Sequence, residues 1–242
     1  MLKLTPAASQ GHPNKSALTP GQSPGPGFRP REGNLPGVIK NIIFDFGGVI
    51  CNIDFKLSEL KFKELGFKGF TPSYSVEDGE DVFRRLESGK ISTPEFISGL
   101  KKHLNPGVSD QEVLNAWNAM ILDIPPLRVR LLEEVRKSYR IFILSNSNEI
   151  HFHNYLRDFT THYGYRSFED VFEKTWFSFR INLQKPSREI FEYVIGDADL
   201  VASETLFIDD SIQHIEAAAN VGLRTYHLQA YEEITDLFEP AP

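Results

Sequence analysis

The run Asn41-Ile42-Ile43-Phe44-Asp45-Phe46-Gly47-Gly48-Val49-Ile50 constrains this chain more than any other stretch. It is an apolar, β-type segment that reaches one carboxylate and then two glycines. An acid at the carboxyl end of a buried parallel strand stands where open α/β sheets bind their ligands. The paired glycines let the backbone turn sharply and approach whatever is bound. Taken alone, the run reads as a strand leading into an Asp-containing turn; the residues at the other strand ends give it its meaning.

From Leu127 onward helix and strand alternate, the pattern of a parallel sheet with crossover helices. Leu127 to Ser138 reads as a helix and Arg140 to Leu144 as a buried strand. A helix from about Glu149 to Phe159, a strand near Glu173 to Ser178 and a helix from Arg188 to Ile195 come next. Thr205 to Ile208 is a further strand, Gln213 to Val221 a helix and Arg224 to Leu228 a last strand. Between the first strand and Leu127 the periodicity is helical: Phe55 to Leu65, Glu77 to Ser88, Thr93 to Leu104 and Asp110 to about Leu122. Thr93-Pro94 and the pair Ser109 with Glu112 are expected as helix starts. The spacing therefore predicts an α/β chain: an α/β core over 38–53 and 126–242, interrupted by a helical insertion over 54–125.

Residues 1–37 are dense in Pro, Gly, Ser and Thr and lack apolar periodicity, so disorder is expected there. They hold no apolar stretch of a secretory signal. The formal net charge of −7 opposes a nucleic-acid partner, which needs a basic surface. No apolar run approaches the ~18 residues that span a bilayer, so no membrane partner is expected. A single cysteine, Cys51, excludes an internal disulfide and any multi-thiolate metal site; it suits a reducing cytoplasm and reads as a small core residue.

The strands end in chemistry. The first reaches Asp45, the second Ser145-Asn146-Ser147-Asn148, and the strand at Thr205 reaches Asp209-Asp210, while Lys185-Pro186 stands in a loop before a helix. Singly, each is a turn or a cap. Together they describe a phosphoryl-binding centre. Two carboxylate sites at one sheet edge repel unless a cation lies between them, and hard oxygen ligands suit Mg²⁺. A hydroxyl and amides at Ser145 and Asn146, at a helix start, make an anion site, and Lys185 adds a positive charge.

These four segments resemble those of the haloacid dehalogenase superfamily, over about Lys40 to Leu228. Phe44-Asp45-Phe46-Gly47-Gly48-Val49-Ile50, Leu144 to Asn148, Gln184-Lys185-Pro186 and Phe207 to Ser211 look like the bacterial subgroup containing an α-glucose-1-phosphate phosphatase; Glu87 to Ser92 looks like its helical cap. The resemblance implies a Rossmann-like core with a cap inserted after the first strand, and Mg²⁺-dependent hydrolysis of a small phosphorylated substrate, a sugar phosphate among the candidates. It implies Asp45 as nucleophile, forming an aspartyl-phosphate. Mg²⁺ would bind Asp45, the Gly47 carbonyl and Asp210, with Asp209 bound directly or through water. Ser145 and the Asn146 amide would hold phosphoryl oxygens, and Lys185 would neutralise both Asp45 and the transferring group.

Two departures matter. Many phosphatases of the superfamily carry an aspartate two residues after the nucleophile as general acid and base, where this chain has Gly47; Asp54 is a candidate substitute, or simply a helix cap. Gln184 stands where the subgroup often has Arg. The alternatives are a 2-haloacid dehalogenase, which uses the same Asp without Mg²⁺, and a catalytically weak phosphoryl-binding protein. His151, His153, Trp176, Phe177 and Phe179 read as packing or surface residues, and Arg84-Arg85 as a solvated helix face.

Overall fold

The computed structural model describes residues 28–30, 38–67 and 82–240. In chain order its elements are β1 (Phe28–Pro30), β2 (Asn41–Phe44), α1 (Phe55–Glu64), α2 (Val82–Glu87), α3 (Thr93–Lys101), α4 (Asp110–Asn118), α5 (Pro126–Val135), β3 (Arg140–Ser145), α6 (Glu149–Tyr163), β4 (Lys174–Phe177), α7 (Ser178–Ile181), α8 (Arg188–Asp197), β5 (Thr205–Asp209), α9 (Ile212–Ala219), β6 (Arg224–His227) and β7 (Phe238–Pro240). The expected helix at Glu77 begins, within the described residues, at Val82; positions 77–81 lie outside them.

Strands β4-β3-β2-β5-β6 form one sheet, every pair parallel. Strand β2 is central and buried throughout because its successive side chains serve two cores. Ile42 and Phe44 pack into one with Leu132 of α5 and Phe159 of α6; Ile43 packs into the other with Phe191 of α8 and Ala218 of α9. A strand covered by helices on both faces needs apolar side chains at every position, which explains the unbroken Ile-Ile-Phe. The chain runs from β2 outward to β3 and β4, then returns to the other side of β2 as β5 and β6. The carboxyl end of β2 is therefore the point where strand order reverses, the crevice in which open α/β sheets place their ligands. Phe44 pairs with Ile143 and Ile208, so Asp45, Leu144 and Asp209 follow at one level.

The strand is shorter than its apolar run. After Asp45 the chain folds back, Ile50 N and Cys51 N both donating to Phe46 O at 2.8 Å, with Gly48 at φ +79°. Cys51 is buried against this turn, and burial pushes its thiol up to about 12, so it is the core residue expected.

Helices α1 to α4 lie between β2 and α5 and have an apolar cluster of their own, built on Phe62, Phe83, Phe96, Val113 and Trp117. The Trp117 ring stands 4.9 Å from Phe83 and 5.7 Å from Phe96. Asp54 caps α1, accepting from Lys56 N at 3.0 Å. Ser109 and Glu112 form the expected capping box. At α3 the cap is Ser92 rather than Thr93, because Glu95 lies three residues after Ser92 and accepts from both its N and its Oγ.

The expectation of disorder through residue 37 fails at three positions. Phe28–Pro30 pairs antiparallel with Phe238–Pro240, Arg29 bridges Glu239 at 3.1 Å, and Pro30 is buried. The partner strand is more than 200 residues away in sequence, so nothing local announces the pairing. The rest of that segment lies outside the described residues.

Candidate active site

Lys185 organises the site. Its side chain is fully buried, and all three ammonium donors are used: to Asp45 Oδ1 at 3.0 Å, to Asp209 Oδ2 at 2.6 Å and to the Leu144 carbonyl at 3.0 Å. Strands β3 and β5 and the residue directly after β2 each supply one acceptor, so the sheet's register fixes where the lysine points. Burial works against its charge, but Asp209 and Asp45 outweigh it and hold the ammonium above the usual lysine range.

Asn146 fixes the lysine's loop. Its Nδ2 donates to Lys185 O at 2.8 Å and its Oδ1 accepts from Lys185 N at 2.9 Å, as though the side chain were one more strand. The sequence points to Asn146 as an anion ligand and gives no sign of this second use of its side-chain amide. Ser145 ends β3, buried beside it. Asn148 caps α6 by accepting from His151 N at 3.0 Å, which turns the chain into the helix three residues after Ser145.

Asp45 is buried at the end of β2, its Oδ1 also accepting from Phe46 N at 2.7 Å. Burial raises its pKa to about 8; Lys185 opposes the rise, and Asp209 and Asp210 add to it. Asp209 goes the other way. Burial disfavours its charge, yet the Lys185 ammonium and a hydrogen bond from His214 bring it down to about 2. The Lys185 ammonium is committed more closely to Asp209 than to Asp45.

Asp210 is exposed as a residue, but its carboxylate leans into the turn after Asp45. A methyl group on Gly48 would stand 2.3 Å from Asp210 Oδ2. Gly48 thus serves both its positive φ and the close approach of this acid. Loss of hydration and the neighbouring Asp209 charge raise the Asp210 pKa. At Gly47 an added Cβ would meet Ile53 Cδ1 at 3.3 Å, so an apolar wall faces the position where many phosphatases of the superfamily carry their second aspartate. Asp54 is engaged as the α1 cap.

Asp45, Asp209, Asp210 and Lys185 thus meet at the carboxyl end of the central strand. With all three acids ionised their charge is about −2, from three carboxylates and one ammonium. Burial, with the neighbouring carboxylates adding to it, raises the pKa of two of the acids despite the opposing lysine. Hard oxygen donors with that excess negative charge fit a small divalent cation such as Mg²⁺.

A family model for haloacid dehalogenase-like hydrolases matches residues 39–222. The chain belongs to that family. A D-ribitol-5-phosphate phosphatase of Bacteroides thetaiotaomicron is 30% identical over 189 residues, covering 78% of this chain and 91% of the relative. A haloacid dehalogenase-family enzyme of the same organism, solved with magnesium and inorganic phosphate, is 35% identical with a TM-score of 0.74, covering 83% of this chain and 100% of its own. A predicted hydrolase of the family from Porphyromonas gingivalis is 29% identical with a TM-score of 0.72, covering 81% of this chain and 94% of its own. The Rossmann-like core is that of the haloacid dehalogenase-like hydrolases, and the chain is an enzyme of that family. Within it, the residues read as packing behave so: Trp176 and Phe177 are buried in the cores, and His153 faces solvent.

Sequence reasoning does not single out His214, in the first turn of α9. Its Nδ1 lies 2.9 Å from Asp209 Oδ1 and 3.1 Å from Oδ2. A histidine five residues after the first acid of an Asp-Asp pair, across a strand-to-helix turn, is the signal the sequence offers for it.

Proposed function

We propose that this enzyme is a Mg²⁺-dependent phosphatase of small phosphorylated metabolites, acting on the monoester of a sugar or polyol through an aspartyl-phosphate on Asp45. One observation carries the reading: Lys185 joins Asp45 to Asp209 while Asp210 leans over the same turn, leaving negative charge that only a further cation offsets. The D-ribitol-5-phosphate phosphatase relative supports a phosphorylated polyol or sugar as substrate. A dehalogenase displaces halide with one Asp and gains nothing from the acid pair.

Asp45, Asp210 and the Gly47 carbonyl would hold the ion. When bound, it would favour the ionised form of Asp45 and neutralise phosphoryl oxygens. Asp45 attacks phosphorus in line with the departing oxygen, and Lys185, already against Asp45, stabilises the charge spreading over the transferring group. Ser145 and the Asn146 amide hold its oxygens at the start of α6. The insertion α1–α4 serves as a cap. Two residues after α2 stands Gly89, where an added Cβ would strike Phe179 O at 2.3 Å, and Ser178 Oγ donates to Glu87 O at 2.6 Å, so this edge of the cap rests on α7 beside the site.

The test is a panel of sugar and polyol phosphates, p-nitrophenyl phosphate and 2-haloacids, assayed with Mg²⁺, with EDTA and with Ca²⁺. Phosphate release that EDTA abolishes, Mg²⁺ restores and Ca²⁺ inhibits is expected, since Ca²⁺ prefers more ligands at longer distances. Asp210→Ala should lose both rate and metal response. EDTA-insensitive halide release would establish the dehalogenase instead. Stabilisation by Mg²⁺ with phosphate but no turnover would establish a binding protein.

A further inference from the structure

Asp209 has no exposed surface, and its acceptor positions are filled. Oδ2 takes the Lys185 ammonium at 2.6 Å, Oδ1 takes Ser211 N at 2.8 Å, and His214 Nδ1 lies within 3.1 Å of both oxygens. An ionised carboxylate only accepts, so Nδ1 carries the proton and donates. The His214 ring is itself largely buried, its side chain 18% exposed, and it stands on the first turn of the helix that directly follows the acid pair. The carboxylate is thereby held by the backbone at Ser211 and by the ring.

We propose that His214 is a positioning residue of the phosphoryl-transfer site: by donating from Nδ1 to Asp209 it fixes the carboxylate that aims Lys185 at Asp45, so Asp209 anchors the lysine rather than a metal ion. This rests on the phosphatase reading above. Lys185 has three donors and three acceptors, of which the Leu144 carbonyl and Asp45 belong to other strands. Asp209 is its shortest contact and the one held by another side chain, since Asp45 has besides the lysine a bond from its neighbour's backbone, Phe46 N. With His214 gone, Asp209 keeps only Ser211 N and the lysine itself, and its carboxylate turns more freely. The ammonium then wanders from Asp45, and transition-state contacts suffer from displacements well under 1 Å. The rival arrangement is chelation, because Asp45, Asp209 and His214 each bring one ligand atom within 4.8 Å of the others. The two differ in what removing His214 does to metal affinity.

His214→Ala, His214→Asn and His214→Gln would be compared with wild type on p-nitrophenyl phosphate, measuring kcat, KM and the Mg²⁺ concentration for half-activation. Asn places its amide nitrogen where Nδ1 stands, and Gln places it where Nε2 stands. Positioning predicts that His214→Ala loses kcat about tenfold or more, with KM and half-activation within about twofold. It also predicts that Asn recovers to within about threefold of wild type, whereas Gln does not. A half-activating Mg²⁺ concentration that rises in step with the lost kcat would overturn the proposal in favour of chelation. An Ala variant with more than half the wild-type kcat, or an Asn variant no better than Ala, would overturn it as well. Should wild type release no phosphate, the phosphatase reading fails by itself. Crystal structures of wild type and His214→Asn or His214→Ala then decide the positioning: an ammonium displaced from Asp45 by more than about 0.5 Å in Ala but not in Asn upholds it, and an unmoved one refutes it.

Discussion

At the scale of single residues the site depends on an imbalance of charge in a dry place. One ammonium faces three carboxylates, and the acids respond unequally: Asp209 is held ionised while Asp45 is raised to about 8. The same burial that makes Asp45 reluctant to ionise makes its contact with Lys185 strong, since both groups have little water to turn to. Asp45→Asn keeps the shape of the side chain and removes the nucleophile, so phosphate release should vanish; turnover retained on an aryl phosphate would exclude the covalent route. Lys185→Ala should cost roughly 10²-fold or more in kcat, because a fixed cation at the reacting centre is lost. A loss under about threefold would show that the lysine stands apart from the chemistry. Both residue types and their order along the chain were legible in the sequence. The partition of Lys185 between Asp45 and Asp209, and the histidine behind Asp209, were not, because they depend on which strand lies next to which.

At the scale of elements, helix α6 joins the site to the insertion through His151. The ring is buried and stacks on Trp117 at 4.5 Å, its Nε2 against Trp117 O at 3.2 Å and its Nδ1 against Asn148 Nδ2 at 3.2 Å. The neutral tautomer with the proton on Nε2 satisfies both partners, whereas a second proton on Nδ1 would face the Asn148 amide. Burial lowers its pKa to about 4. An unfolded histidine titrates near ~6.5, so between these values the unfolded chain binds the extra proton and the native one does not. This contribution is present in full above about pH 6.5 and is lost as pH falls through about 4, amounting to about 3 kcal/mol. Urea unfolding of wild type and His151→Gln at pH 7.5 and 4.5 should show the wild type losing more stability on acidification. Equal losses would mean that His151 is not the buried neutral group described. The sequence reads His151 as a packing or surface residue, since an i, i+2 pair does not share a helix face, and the structure places it in the packing.

At the scale of the whole molecule, the C-terminal segment ties together regions far apart in sequence. Arg128, buried on α5, holds Glu233 through Nε at 3.1 Å and Nη2 at 3.0 Å, and its Nη1 donates to Ile50 O, in the turn after Asp45, at 3.4 Å. Beyond Glu233, β7 pairs with β1 and Phe238 packs into the core against Phe44 at 6.3 Å. A protein shortened by residues 1–30 should therefore melt below one shortened by residues 1–27. Losing the Arg29–Glu239 bridge and the strand pairing is worth about 1 kcal/mol, or about 2–4 °C for a chain of this size. Identical melting temperatures would mean that β1 adds nothing to the fold.

The sequence by itself determined the alternation of strand and helix, the helical insertion, and the residue types at each strand end. Hydrophobic period and turn chemistry are local properties, readable within a few residues of themselves. Tertiary structure alone decided the order β4-β3-β2-β5-β6, which brings Asp45, Asp209 and Asp210 around one lysine, and the contacts of Asn146, His214 and β1. Each of those joins groups whose proximity is set by sheet register and helix packing, and a hydrogen bond made across such a distance leaves no periodic trace in the chain that makes it.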